Sequence, residues 1–223
     1  MSGTGLFYPL GAIFDMDGLM LDTERPVFPL WPRAARSLGW NLTDETIRPI
    51  IGINETSTRR YFREQLGPDF PYDAVRAEVT RLMEEEFAEK GIALKQGLLP
   101  LLDHLEKKKI PMAVATSTSR GRGLKKLGIA GLEGRFPVLV FGDEVKEGKP
   151  APEIFLLAAR RIGLAPGQCA GFEDSPAGLL ALHRAGIPSV FIKDMVEPPP
   201  EVLAGVWKRL DNLGEAPPLF GNG

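Results

Sequence analysis

Residues 10–24 read LGAIFDMDGLMLDTE, an apolar run that stops at Phe14 and is followed at once by two aspartates, Asp15 and Asp17. A short continuous apolar run with so abrupt a polar end is what a strand buried on both faces presents. Carboxylates at its emerging end repel each other and lose hydration. They persist there only where a cation, a hydrogen-bond network or a shared proton compensates them.

Outward from this stretch, PMAVATS, FPVLVFGDE, QCAGFEDS and PSVFIKD repeat the pattern of a short apolar or β-branched run with a polar end. Helical stripes lie between them. Leu98, Leu101, Leu102 and Leu105 fall at i, i+3, i+4 and i+7; Ile154, Leu157, Ala158 and Ile162 form another stripe before Gly163. In SPAGLLALHRAGI, Ser175 is placed to cap a helix, Pro176 to open it and Gly186 to end it. Strand and helix in alternation predict an α/β fold, a doubly wound parallel sheet with crossover helices on both faces. Residues 23–92 break the rhythm: Val27, Leu30, Trp31, Ala34 and Leu38 make one helical stripe and Val75, Val79, Leu82 and Met83 another, with no strong strand between. We therefore expect a core of residues 1–22 and 93–223 interrupted by a helical cap, 23–92, over the carboxyl ends of the strands, where open parallel sheets bind ligands. EPPPE is expected as a stiff loop and EAPPLFGNG as a frayed tail.

The chain has 223 residues, 43% hydrophobic and 25% charged, enough to bury a substantial core and too apolar for disorder. Its 27 basic and 29 acidic residues, a net −2, argue against non-specific nucleic-acid binding. No signal-peptide pattern opens it and no apolar run approaches the roughly 20 residues of a membrane span, so a soluble, cytoplasmic protein is expected. Without an obvious exposed apolar stripe, a monomer is expected too. Cys169 is the only cysteine, which excludes an internal disulfide and a thiolate metal site. With His104 and His183 the only imidazoles, any metal should be a hard cation held by oxygen. Both histidines read as structural, Cys169 as a core residue, and Trp31, Trp40 and Phe62 as core of the insertion.

Four of the five expected strand ends deliver reactive groups to one edge: Asp15 and Asp17; Thr116 and Ser117; the loop running to Lys149; Glu173 and Asp174. A calcium loop fails on spacing, since from Asp15 the fifth place is Leu19 and the twelfth Pro26. A response-regulator-like domain fails on the long insertion and on the spacing of the aspartate pair. Asp22 and Asp143 read as loop or capping carboxylates.

FDMDGLMLDTE, VATSTS, FGDEVKEGKPAPEIF and GFEDSPAGLLALHRAG, in that order across residues 14–186, resemble the four motifs of the haloacid dehalogenase superfamily, and within it the β-phosphoglucomutase-like phosphatases with a helical cap. The resemblance implies that Asp15 is the nucleophile that accepts a phosphoryl group and that Asp17 acts as general acid and then base. It implies that Thr116 holds a phosphate oxygen, helped by nearby backbone amides, with Ser117 contributing either its backbone or its hydroxyl, and that Lys149 neutralises the phosphoryl oxygens and the nucleophile. Magnesium would be held by the Asp15 carboxylate, the Asp17 carbonyl, Glu173 and Asp174. Four ionised carboxyls sum to −4 against +3 from one divalent ion and Lys149, so one carboxyl should keep a proton beside a phosphate, and Asp17 is the candidate.

The same branch holds sugar-phosphate mutases, which use a histidine after the first motif and an arginine in the cap; this chain has Val27 and Glu55 there. The expectation is a magnesium-dependent hydrolase of a small phosphate ester, a sugar phosphate or nucleotide. Glu24, Arg25, Asn54, Glu55 and Thr56 are expected to face it. The alternatives are a mutase, or a catalytically silent binding or regulatory protein of the same fold.

Overall fold

The apolar run that ends at Phe14 becomes the central strand of a six-stranded parallel sheet. The computed structural model describes residues 7–51 and 55–221. In chain order the strands are β1 (Gly11–Phe14), β2 (Met112–Ala115), β3 (Val138–Val140), β4 (Cys169–Glu173), β5 (Ser189–Ile192) and β6 (Lys208–Leu210). They lie side by side as β3-β2-β1-β4-β5-β6. Phe14 is level with Val114 of β2 and with Phe172 of β4, so these three strands end together. The strand order reverses between β1 and β4, and such a switch point leaves a crevice at the carboxyl ends of the strands.

Between β1 and β2 the chain folds into α1 (Glu24–Val27), α2 (Leu30–Ser37), α3 (Asp44–Ile47), α4 (Glu55–Leu66) and α5 (Tyr72–Lys90). The stripe expected from Val27 to Leu38 is two helices, because Pro29 lacks an amide to continue α1 and instead precedes α2; Leu38 lies outside, 41% exposed. Val75, Val79, Leu82, Met83 and Phe87 form the buried face of α5. Trp31, Phe62, Phe70 and Tyr72 pack their rings with centroids 5.0–6.3 Å apart. The chain leaves and re-enters through adjacent segments, where the Asp22 amide donates to the Ala93 carbonyl and the Lys95 amide to that of Met20. Asp194, buried after β5, pairs with both Lys95 and Arg25 at 2.6 Å.

The remaining helices are α6 (Leu98–Lys107), α7 (Arg120–Ile129), α8 (Glu153–Arg161), α9 (Pro176–Ala185) and α10 (Pro200–Leu203). Alternation along the strands sorts side chains to two faces. Ala12, Phe14, Val114 and Phe172 join Leu98, Leu101, Leu102 and Leu105 of α6. Ile13, Ala113, Ala115 and Cys169 join Ile154, Phe155 and Ala158 of α8 and Leu182 of α9. Each fully buried Leu, Ile or Phe contributes about 1.5–3 kcal/mol of transfer free energy.

Two expectations fail here. A sixth strand, β6, sits at the edge, with Lys208 and Arg209 exposed, so it carries none of the apolar signal of the other five. The tail is ordered as far as it is described. Two 3₁₀ turns, Leu213–Glu215 and Pro217–Phe220, bury Leu213, Ala216 and Phe220, and the Phe220 ring lies 6.3 Å from Phe172. Prolines that preset φ make such turns cheap in entropy. The EPPPE stretch is likewise used, with Pro199 and Pro200 opening α10.

Candidate active site

At the switch point the ends of β1 and β4 place Asp15, Glu173 and Asp174 so close that one oxygen of each lies within 4.8 Å of the others. Asp15 is 7% exposed and Glu173 fully buried. Lys149 is the counter-ion. Its Nζ donates to Asp15 Oδ1 and, at 2.7 Å, to Glu173 Oε1, while resting over the Phe155 ring at 4.7 Å. The other Glu173 oxygen accepts from the Asp174 and Ser175 amides and the Ser175 hydroxyl at 2.8–3.0 Å, so it is held by the two residues that lead into α9. Ser175 caps that helix as expected, accepting the Gly178 amide at 3.1 Å. Gly178 is required, because a Cβ there would fall 1.7 Å from Glu173 Oε1.

Asp174 is different. Its Oδ1 is buried with no hydrogen-bond partner, and burial, then the Glu173 and Asp15 charges, hold its carboxyl well above the ordinary range. Burial likewise pushes Asp15 up, and the two carboxylates that flank Lys149 raise the lysine. Three carboxylates share one ammonium, and an orphaned buried carboxylate oxygen faces the deficit. That donor set, all hard oxygen, fits a divalent cation such as magnesium.

Asp17 stands apart from the trio. Thr23 Oγ1 and Thr118 Oγ1 donate to it at 2.8 and 2.7 Å, and Lys126 Nζ of α7 reaches Oδ1 at 2.5 Å. Burial raises its carboxyl, but Lys126 and the hydroxyls outweigh that and leave it below the usual value. Sequence reasoning missed Lys126, whose setting GLKKLGI looks like any solvated helix.

Thr116 is 1% exposed at the end of β2, its hydroxyl accepting the Thr118 amide at 3.1 Å, and Ser117 is exposed beside it. Both line a cavity of about 330 Å³ with Asp15, Asp17 and Lys149. Glu24 and Glu55 also line it, as does Val27 at the position compared with the mutase histidine. Asn54 lies outside the described residues. Arg25 and Thr56 do not line the cavity; Arg25 is spent on Asp22 and Asp194. Asp143 receives the Arg120 amide at the start of α7, a capping carboxylate as expected. Burial pushes the Cys169 thiol up to about 11, which suits a core residue.

This fold and strand-end constellation define a hydrolase class with an aspartate at the tip of its first strand. Residues 12–192 match the family model of haloacid dehalogenase-like hydrolases, and the chain belongs to that family. It is 36% identical over 181 residues to the phosphorylated carbohydrates phosphatase of Thermotoga maritima, covering 80% of this chain and 82% of that one. To hexitol phosphatase A of Escherichia coli it is 37% identical, with 79% of each chain covered. The crystal structure of CbbY from Rhodobacter sphaeroides in complex with phosphate superposes with a TM-score of 0.79 at 28% identity, covering 93% of this chain and 96% of that one.

Proposed function

We propose that this chain is a magnesium-dependent phosphomonoesterase that hydrolyses a small phosphorylated metabolite through an aspartyl-phosphate on Asp15. The observation that carries the reading is the buried Asp15–Glu173–Asp174 trio with its orphaned Asp174 oxygen beside Lys149. Similarity to phosphatases of phosphorylated carbohydrates and hexitols supports a sugar or polyol phosphate before a nucleotide.

In the first half-reaction an Asp15 oxygen attacks phosphorus, the ester P–O bond breaks, and Asp17 gives the leaving oxygen its proton. In the second, Asp17 takes a proton from water, the water oxygen attacks phosphorus, and the bond to Asp15 breaks to release phosphate. The hydroxyls of Thr23 and Thr118 and the ammonium of Lys126 suit Asp17 to the base role as it stands. The acid role requires it to take up a proton as the phosphate dianion enters beside it. Lys149 and Thr116 would neutralise and position the equatorial phosphoryl oxygens. Asp15, Glu173, Asp174 and the Asp17 carbonyl would hold magnesium, which when bound neutralises carboxylate and phosphoryl charge. Val27 and Glu55 in place of a histidine and an arginine weigh against a mutase.

Phosphate release from a panel of phosphomonoesters, with magnesium and with chelator, tests the reading beside Asp15→Ala. Turnover that needs magnesium and vanishes in the variant is expected. No release from any ester, or full activity in Asp15→Ala, would refute it.

A further inference from the structure

The cavity has a wall that phosphoryl transfer does not use. It is built on α5, where Tyr72 and Arg76, four residues apart, share one helical face. Tyr72 is 6% exposed and its hydroxyl is buried with no hydrogen-bond partner. Burying a hydroxyl without a partner forfeits its hydrogen bonds to water, so its persistence points to a ligand that satisfies it. The Arg76 guanidinium lies 5.8 Å from the centroid of the Trp31 ring and, among the described residues, makes no ion pair. The other cations here are engaged: Lys149 by Asp15 and Glu173, Lys126 by Asp17, while Arg122 donates to Ser119. The Glu24 carboxylate, lining the same space from α1, likewise accepts no hydrogen bond among the described residues.

This wall therefore offers donors from Arg76, a donor and acceptor in the Tyr72 hydroxyl, an acceptor in Glu24 and an aromatic face in Trp31. A phosphate or carboxylate would satisfy the donors and be repelled by Glu24. An alkyl group would satisfy none of them. A chain or ring of hydroxyls satisfies all, since each hydroxyl both donates and accepts and its C–H edges can lie on an indole.

We propose that Tyr72 and Arg76, with Glu24 and Trp31, form the subsite that reads the leaving alcohol, and that this alcohol is a neutral polyol. The proposal rests on the phosphatase reading and adds the residues that set specificity. Satisfying otherwise unpaired polar groups is what gives a site strong discrimination against analogues that lack the matching hydroxyls.

The test compares kcat/KM for a hexitol phosphate with that for n-hexyl phosphate, two primary six-carbon esters that differ in the hydroxyls. The magnesium-loaded wild-type protein is expected to favour the hexitol phosphate by about a hundredfold or more. Tyr72→Phe, which removes one oxygen and keeps the ring, should lower that ratio about tenfold, and Arg76→Gln at least as much. A ratio unmoved in both variants, or a parallel loss on both esters, would overturn the proposal by leaving these residues a structural role only. So would a wild-type preference for an ester bearing a second phosphate or carboxylate that Arg76→Gln erases. If the wild type releases phosphate from no ester, the phosphatase reading falls. The dissociation constants of the same two esters then decide the subsite: a hexitol preference weakened by Tyr72→Phe sustains it, and equal binding ends it.

Discussion

At Gly18 the chain turns with φ +86° against the carboxylate trio, and a Cβ there would meet Asp174 Oδ2 at 2.3 Å. Two independent constraints, a left-handed backbone and a carboxylate within contact, fall on one residue. Gly18→Ala should therefore cost about 1–3 kcal/mol from strain. It should also weaken magnesium binding at least tenfold, read by calorimetric titration; unchanged affinity would show that Asp174 can yield. The same carboxylates give a pH dependence whose sign follows from linkage. Asp174, and Asp15 at about 8, keep a proton in the folded chain that the unfolded chain has released, so stability must fall as pH rises from the ordinary carboxylate range towards about 8. Thermal unfolding in chelator should show the midpoint declining over that window, and saturating magnesium should flatten the decline. A midpoint in chelator that stays level or rises would contradict the charge deficit. At this scale Asp15 and Asp17 were legible because a carboxylate pair after an apolar run needs compensation wherever it sits. Lys126, Tyr72 and Arg76 were not, since a charged or aromatic residue on a helix shows its role only against what the helix faces.

The elements that position the site are short and individually weak, and their ends do the positioning. Ser175 illustrates this: its hydroxyl accepts the Gly178 amide to cap α9 while donating to Glu173 Oε2, so one side chain ties a helix start to a buried carboxylate. Ser175→Ala should lower stability by about 1 kcal/mol, a fall of about 2–4 °C in midpoint. It should also reduce kcat more than KM, because Glu173 and the Lys149 it holds become less fixed; steady-state kinetics beside thermal melts would check both. The cap, the proline at the first helical position and the closing glycine were all readable, because capping chemistry is local. β6 was not, because an edge strand with exposed Lys208 and Arg209 owes its existence to pairing with β5 rather than to its own residues.

Over the whole molecule, one hydrophobic cluster runs from Ala12 and Phe14 through Met16, Leu19 and Leu21 to Trp31, Phe62 and Val79, joining the helical segment to the sheet. With Asp194 pinning Arg25 and Lys95 across the two connections, the helical segment and the sheet should unfold together. Phe62→Ala, deep among rings, is expected to cost about 3–5 kcal/mol and to lower a single calorimetric transition, whereas a separate early transition would show an independent helical unit. The sequence by itself determined the alternating strands and helices, the helical interruption and the acidic strand ends, because hydrophobic period and local turn chemistry act over neighbouring residues. Only the tertiary structure decided that the chain's last phenylalanine would cover Phe172, that Lys126 would reach Asp17 across 109 positions, and that Tyr72 and Arg76 would line one cavity with Asp15. Contacts between residues so far apart depend on how packed surfaces meet, and no local pattern records that.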